Sequence, residues 1–345
     1  MKNLPENFAE TLLYWYDDNR RDLPWRENTE PYRVWLSEIM LQQTRIEAVK
    51  GYFARFTAAL PTVRALAEAP EETVLKLWEG LGYYSRARNL HRAARCLCEE
   101  YGGEFPRDYE ALRRLPGVGD YTAGAIASIA FGLPEPAVDG NVLRVYARLC
   151  GCEESMGTDR AKKSVRELLR PCYAGGRCGE LTSAIMELGE VLCVPGTPRC
   201  EKCPFLSRCE AARTGRQAEL PVLPAKKARR AEQRTVLLLR CGKKIALRKR
   251  PETGLLAGLW EFPNILGRLT QEEAAAQVSA WGGRALHTEP LGEAAHVFSH
   301  IEWHMTGWQI DCEAELPGFV WTDSPAEYAL PTAFRAYRKQ ILVKN

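Results

Sequence analysis

With 345 residues, 46% of them hydrophobic and 26% charged, the chain is long enough for two folded domains and too apolar to stay disordered. A formal net charge of +3 leaves a nucleic-acid ligand open, because a basic face can hide in a near-neutral total. No apolar run reaches the length of a membrane span, and Met1-Lys2-Asn3-Leu4-Pro5-Glu6 lacks the basic-then-apolar pattern of an export signal, so a cytoplasmic monomer without membrane contact is expected.

Residues 5 to about 190 read as helices joined by short turns. Pro31 opens an apolar-periodic stretch through Val34, Trp35, Ile39 and Met40 that contains Glu38. A carboxyl buried among such neighbours has a raised pKa and can act as a general acid, although a solvent-facing glutamate is the commoner occupant of a helix. Glu71 to Trp78 makes a second helix, ended by Gly80-Leu81-Gly82, and Ser85 to Tyr101 a third, ended by Gly102-Gly103. Leu115-Pro116-Gly117-Val118-Gly119-Asp120 lies between two further helices. Its glycines allow close backbone approach, and the free amides of a helix starting near Tyr121 suit a phosphate. The small residues from Thr122 to Ala130 suit a tightly packed helix, and Asp139 before Gly140 reads equally as a helix cap and as a functional carboxylate.

Twelve cysteines with no export signal point to a reducing compartment, where thiols bind metal or are simply buried. Four of them, Cys193, Cys200, Cys203 and Cys209, follow the spacing Cys-x6-Cys-x2-Cys-x5-Cys on a loop broken by Pro195, Gly196, Pro198 and Pro204. Four thiolates so placed can surround one compact centre, either zinc or a 4Fe–4S cluster. Residues 213–232, with Pro221, Pro224 and Lys226-Lys227-Ala228-Arg229-Arg230, read as an extended basic linker. Beyond it the period changes to that of strands. Thr235 to Arg240 and Lys244 to Arg248 flank a hairpin turn, His296 to Cys312 reads as one or two strands broken near Gly307, and Thr332 to Ile341 as a closing helix.

The cysteine spacing resembles the cluster loop of the endonuclease III superfamily of DNA glycosylases, which implies one 4Fe–4S cluster rather than zinc. The hairpin resembles a helix-hairpin-helix motif, which implies that Gly117, Val118 and Gly119 meet the DNA backbone. Bifunctional members carry a lysine just after the hairpin; here Asp120-Tyr121-Thr122 stands there, so a monofunctional enzyme that leaves an abasic site is expected.

Pro24-Trp25-Arg26, the stretch from Leu36 to Thr44 and the stretch from Trp78 to Leu90 closely resemble adenine DNA glycosylases of the MutY type. By that resemblance Glu38 protonates the adenine ring and Asp139 stabilises the cationic sugar, with Tyr121 and Asn141 in support. Trp25, Arg26, Leu41 and Ser183 line the adenine pocket. Gln42, Gln43, Thr44, Leu81, Tyr83 and Arg86 meet double-stranded DNA carrying an 8-oxoguanine:adenine or guanine:adenine mispair, with Gln43 and Tyr83 wedged into the stack. Ser183 stands where the family carries Gln or Glu, and its short hydroxyl cannot reach the adenine edge as those longer side chains would.

Gly254 to Pro263 resembles the start of that family's Nudix-like (MutT-like) domain, but the segment from Thr270 to Ala276 lacks the glutamates for Mg²⁺-dependent pyrophosphate hydrolysis. Phe298-Ser299-His300 matches the segment that reads 8-oxoguanine. The expected architecture is an all-α helix-hairpin-helix glycosylase domain with a cluster loop over 1–212, a linker over 213–232 and an α+β Nudix-like domain over 233–345. Weaker readings are a pyrimidine glycosylase of the same superfamily, a non-catalytic damage sensor, and a Nudix hydrolase with a helical appendage.

Overall fold

A computed structural model describes residues 2–225 and 228–343, the side chains of residues 342 and 343 excepted. The chain divides into two compact units: Met1–Ala69 with Asn89–Ala225, and Pro70–Arg88 with Lys226–Asn345. Among the described residues the first unit contains helices and turns only, and no helix of either unit is long and apolar enough to cross a membrane.

The helical unit is organised by apolar faces that close on one another. Leu12, Trp15 and Tyr16 of the Phe8–Asn19 helix pack with Val142, Val145 and Tyr146 of Gly140–Cys150 and with Leu181, Ile185 and Leu188 of Cys178–Val191. Each fully buried leucine or valine contributes roughly 1.5–3 kcal/mol to that packing. Asp139 starts the Gly140–Cys150 helix by accepting the Val142 amide at 2.8 Å, and Gly151 ends it in the left-handed conformation, φ 60°. The hairpin forms as its residues dictate. Asp108 caps the Tyr109–Arg114 helix, Gly117 turns the chain at φ 75°, the Val118 amide bonds the Leu115 carbonyl at 3.0 Å, and the Asp120–Ala125 helix follows.

The first half of the expected linker is not a loose tether. Leu220 is buried, its carbonyl accepts Arg148 Nε at 2.9 Å, and the Val222 carbonyl accepts the Met156 amide at 2.9 Å, so this stretch lies against the helical unit. Its last residues are already strand, since β1 starts at Arg230; Lys226 and Lys227 fall outside the described residues. Apolar anchors and backbone hydrogen bonds outweigh the prolines and charges that suggested an extended chain.

The second unit is built on β1 (Arg230–Cys241), β2 (Lys244–Lys249), β3 (Trp260–Glu261), β4 (Asn264–Leu266), β5 (Ala285–Val297), β6 (Ile301–Cys312) and β7 (Val320–Thr322). The strand order is β3-β2-β1-β6-β5, with β4 added on β1 and β7 on β2; β1 and β6 run parallel and the other pairs antiparallel. β1 is buried on both faces. Val236 and Leu238 join Trp303, Phe334 and Tyr337 on one side, while Leu237 and Leu239 join Ile310 and the Ala274 and Val278 of the Gln271–Ala280 helix on the other.

The expected break near Gly307 is absent. β6 runs through it, because a glycine there leaves room for the Tyr337 ring, which would stand 2.2 Å from an added Cβ; the irregularity falls on β5 instead, between Pro290 and Gly292. The linear division at 212 and 233 also differs from the observed grouping. Pro70–Arg88 belongs with the sheet unit, where Lys76 Nζ reaches the Tyr328 carbonyl at 3.3 Å and Lys249 Nζ reaches Glu72 at 3.3 Å.

Candidate active site

The helical unit holds a cavity of about 2280 Å³ whose wall includes Trp25, Arg26, Glu38, Leu41, Gln42, Gln43, Thr44, Tyr121, Asp139, Asn141 and Ser183, together with the hairpin residues Gly117, Val118 and Gly119. Glu38 is only 7% exposed on the inward face of the Pro31–Leu41 helix, and the Tyr121 hydroxyl donates to its Oε2. Burial pushes the Glu38 carboxyl up to about 7; Asp139 and Glu190 push the same way, while the Tyr121 hydrogen bond and Arg26 oppose them. Asp139 is also raised by burial, yet its oxygens are committed to donors, Oδ1 to the Val142 amide and Oδ2 to Asn141 Nδ2, each at 2.8 Å. Burial thus raises both carboxyls, and Asp139 differs in that both of its oxygens accept from donors that favour its anion.

The site's supports come from residues that the sequence did not single out. Arg144 donates to Asn141 Oδ1 and to the Gly189 carbonyl, both at 2.8 Å, and to the Cys193 carbonyl at 2.7 Å. Glu187, 1% exposed, receives Arg21 Nε at 2.5 Å and Arg26 Nη2 at 2.8 Å, and Arg21 Nη2 also reaches Glu190 at 2.7 Å. This ion network fixes Arg26 beside Trp25, whose ring packs edge-on against Phe53 at 5.7 Å. Ser183, Met186, Glu187 and Glu190 fall at i, i+3, i+4 and i+7 on one helix, a spacing that could have drawn attention to the two glutamates.

Gln43 and Tyr83, the expected wedges, both have positive φ, 55° and 48°, which for side chains of this kind stores backbone strain of about 1–2 kcal/mol each. Tyr83 is 44% exposed in the sheet unit. Leu81 and Arg86, expected to meet DNA, are instead buried. Arg86 donates to the Leu81 and Gly82 carbonyls at 3.2 and 3.1 Å, and its guanidinium lies 5.4 Å from the Trp78 and Tyr83 ring centres. Burial lowers its pKa to about 10, and its place is that of a clamp on the loop that presents Tyr83.

Cys193, Cys200, Cys203 and Cys209 lie on a loop with short 3-10 turns at Cys200–Lys202 and Leu206–Arg208. Among the described residues no three His, Cys, Asp or Glu groups stand in a ready ligand arrangement. The donor set nevertheless fits a thiolate-bound centre. The backbone amide of Phe205 serves Cys203 and those of Ala211 and Ala212 serve Cys209, donors that favour thiolates where burial alone raises both thiols. Arg148 Nη1 stands 3.5 Å from Cys193 Sγ.

In the sheet unit, Phe298-Ser299-His300 forms the turn between β5 and β6. Ser299 and His300 are exposed and mutually bonded, Oγ to Nδ1 at 3.1 Å, whereas Phe298 is held inward between His296 and Trp303, with ring centres at 4.6 and 4.9 Å. Of the three, the serine and histidine are the side chains exposed at the surface. In the segment where the Nudix glutamates were sought, Thr270 and Glu273 cap the Gln271–Ala280 helix reciprocally.

A helical hairpin beside a cavity holding a buried acid and a capped aspartate defines a base-excision glycosylase. Residues 36–171 match the HhH-GPD superfamily of base excision DNA repair proteins, and residues 235–340 match the NUDIX domain. A thermostable thymine-DNA glycosylase covers 60% of this chain with 95% of its own at TM-score 0.56 and 31% identity; endonuclease III in a non-covalent DNA complex covers 60% with 94% at TM-score 0.52 and 25% identity. The adenine DNA glycosylase of Homo sapiens is 36% identical over 90% of this chain and 68% of its own length. That of Rattus norvegicus is 35% identical over 96% and 78%, and that of Schizosaccharomyces pombe 34% over 86% and 80%. The chain belongs to the adenine DNA glycosylase family: it is a base-excision repair enzyme that binds DNA and hydrolyses the N-glycosyl bond of adenine.

Proposed function

We propose that the enzyme removes adenine paired with 8-oxoguanine or guanine, acts as a monomer and leaves an abasic site without cutting the strand. The observation that carries this reading is Glu38, a buried carboxyl raised to about 7, bonded by Tyr121 and lining the same cavity as the capped Asp139. Near neutral pH about half of the Glu38 carboxyls hold a proton, enough to protonate a ring nitrogen of the everted adenine so that it leaves neutral. The electron pair of the broken C–N bond goes to the base, and the sugar becomes oxocarbenium-like. Asp139, whose oxygens already accept Asn141 and Val142, supplies the facing negative charge, and water completes the hydrolysis. No lysine follows the hairpin: Tyr121 stands there with its hydroxyl on Glu38, which supports hydrolysis without a Schiff base.

Cys193, Cys200, Cys203 and Cys209 would hold one 4Fe–4S cluster, which supplies a cross-link for the loop. The loop in turn meets the site through Arg144, bonded to the Cys193 carbonyl and to Asn141. Exposed Ser299 and His300 offer hydrogen bonds to the altered edge of 8-oxoguanine.

The test is single-turnover adenine release from duplexes carrying 8-oxoguanine:adenine, guanine:adenine or thymine:adenine, with strand breaks scored before and after alkali. Release from the first two, with breaks only after alkali and none in Glu38→Gln, is expected. Breaks without alkali, or full turnover by Glu38→Gln, would overturn the reading.

A further inference from the structure

The loop that presents Tyr83 holds its tyrosine at φ 48° between Gly80 and Gly82, themselves at φ 103° and 71°. A side chain carried on such a backbone persists only where its surroundings over-determine it. Part of that constraint is internal to the loop. Trp78 Nε1 donates to the Gly82 carbonyl at 3.1 Å, the Gly80 amide donates to the Tyr84 hydroxyl at 3.3 Å, and Arg86 donates to the Leu81 and Gly82 carbonyls. The rest comes through Glu79, whose side chain is only 15% exposed and receives both Lys76 Nζ and Arg338 Nη1.

We propose that Glu79 is a positioning residue for adenine excision: paired with Arg338 of the closing helix and with Lys76, it fixes the loop that carries Tyr83 and so sets where the wedge enters the DNA.

Both partners of Glu79 are themselves anchored in the sheet unit. Arg338 belongs to the Arg335–Val343 helix, where the neighbouring Tyr337 is buried with its ring over Gly307 of β6; Phe334, just before that helix, packs edge-on against Phe262 at 5.9 Å. Lys76 also donates to the Ala326 carbonyl and, at 3.3 Å, to that of Tyr328. That segment is pinned in turn, since the Tyr328 ring meets Trp260 edge-on at 4.8 Å and the Ala329 carbonyl accepts the Trp260 amide at 3.3 Å. Glu79 thus ties the loop to two packed parts of the unit, the closing helix and the chain beside β3. Its charge gives the ties an order. Glu79→Gln removes both ion pairs and leaves Lys76 and Arg338 without the anion they share, whereas Arg338→Ala leaves the Lys76 pair in place.

This role rests on Tyr83 entering the base stack, and the experiment separates the two ideas. Single-turnover adenine release is measured together with the fluorescence of a 2-aminopurine placed beside the adenine, which reports unstacking. The full chain is compared with Glu79→Gln, Arg338→Ala, Arg338→Lys, Tyr83→Ala and the double variant Tyr83→Ala/Glu79→Gln, with urea midpoints alongside. Glu79→Gln should slow unstacking and release about three- to tenfold, Arg338→Ala should slow them less, and Arg338→Lys should recover most of what Arg338→Ala loses. In the Tyr83→Ala background Glu79→Gln should slow neither step further, because it acts through the tyrosine; a general loss of stability would slow both backgrounds alike. Wild-type unstacking in Glu79→Gln, or effects that simply add in the double variant, overturns the inference. If Glu79→Gln does not fold, the two Arg338 variants decide, and equal rates in Arg338→Ala and wild type overturn it. A slowed Tyr83→Ala beside a wild-type Glu79→Gln rejects only the role of Glu79; a wild-type Tyr83→Ala rejects the wedge and the inference with it.

Discussion

A methyl group added at Gly189 should damage catalysis without touching substrate. Gly189 lies in the last turn of the Cys178–Val191 helix, where an added Cβ would sit 2.7 Å from Asn141 Cβ and 3.3 Å from its Cα. Ordinary carbon contacts need about 3.5–4 Å, so Asn141 must retreat by about 1 Å. It cannot retreat alone: Nδ2 holds Asp139 and Oδ1 holds Arg144, and Arg144 also bonds the Gly189 carbonyl. For stability the net loss is up to about 2 kcal/mol, since alanine gains up to about 1 kcal/mol over glycine in a helix while overpacking costs about 1–3 kcal/mol. For chemistry the loss is larger, because a displacement of about 1 Å in a catalytic group costs on the order of 100-fold, or about 2.7 kcal/mol of barrier. Gly189→Ala should therefore release adenine roughly 100-fold more slowly in single turnover, with a urea midpoint lowered by no more than that net loss and DNA affinity close to wild type. A wild-type rate would show that Asn141 does not transmit position to Asp139, and the supporting role given to it would be wrong.

Two further outcomes follow from the site and the sheet unit. Glu187→Gln leaves the Arg21 and Arg26 guanidiniums without their buried partner; with both arginines partly exposed, the loss should be about 2 kcal/mol in urea unfolding, below the full cost of breaking a buried pair. Burial pushes the Glu187 carboxyl up, but Arg21 and Arg26 outweigh it and hold it below 4.5, so the stabilisation is complete above that pH and fades as pH falls through the lower folded value. Wild type and variant should then converge in acid, and a gap that widens there would contradict the ion-network account. Replacing Ser299 and His300 together with Ala should reduce the preference for 8-oxoguanine:adenine over guanine:adenine by about 10-fold, the worth of one to two hydrogen bonds, at unchanged stability because both side chains are exposed; an unchanged ratio would remove them from damage reading.

The sequence exposed what local pattern encodes and hid what only folding assembles. The helix around Glu38, the glycine turn of the hairpin and the β1–β2 turn each carry their signal within a few residues, and each forms as read. The Arg21–Glu187 pair spans 166 residues and has no local signature, so the ion network that fixes Arg26 was invisible until the Pro24–Arg26 turn and the Cys178–Val191 helix were seen together. Arg86 was expected to meet DNA from the resemblance of the 78–90 stretch, yet it is buried, and two loop carbonyls and two aromatic rings offset its desolvation. Phe298 likewise matched a functional tripeptide while its ring belongs to the apolar cluster around Trp303. In each case the residue type was legible and the direction of the side chain was not, because direction depends on partners far along the chain.

The structure shows the helix-cap reading of Asp139, and that cap leaves room for the functional one. Its Oδ1 satisfies the Val142 amide and starts the helix whose buried face anchors the core. A cap alone would be served equally by Asn or Ser, neither of which bears a charge that burial makes costly. The fold nevertheless keeps a carboxylate in a site that disfavours its anion, and then spends the Asn141 amide and the Arg144 network on stabilising that anion. Helix capping explains the position of this residue but not its charge. The proposed mechanism gives that charge a use, since the sugar turns positive beside it as adenine departs.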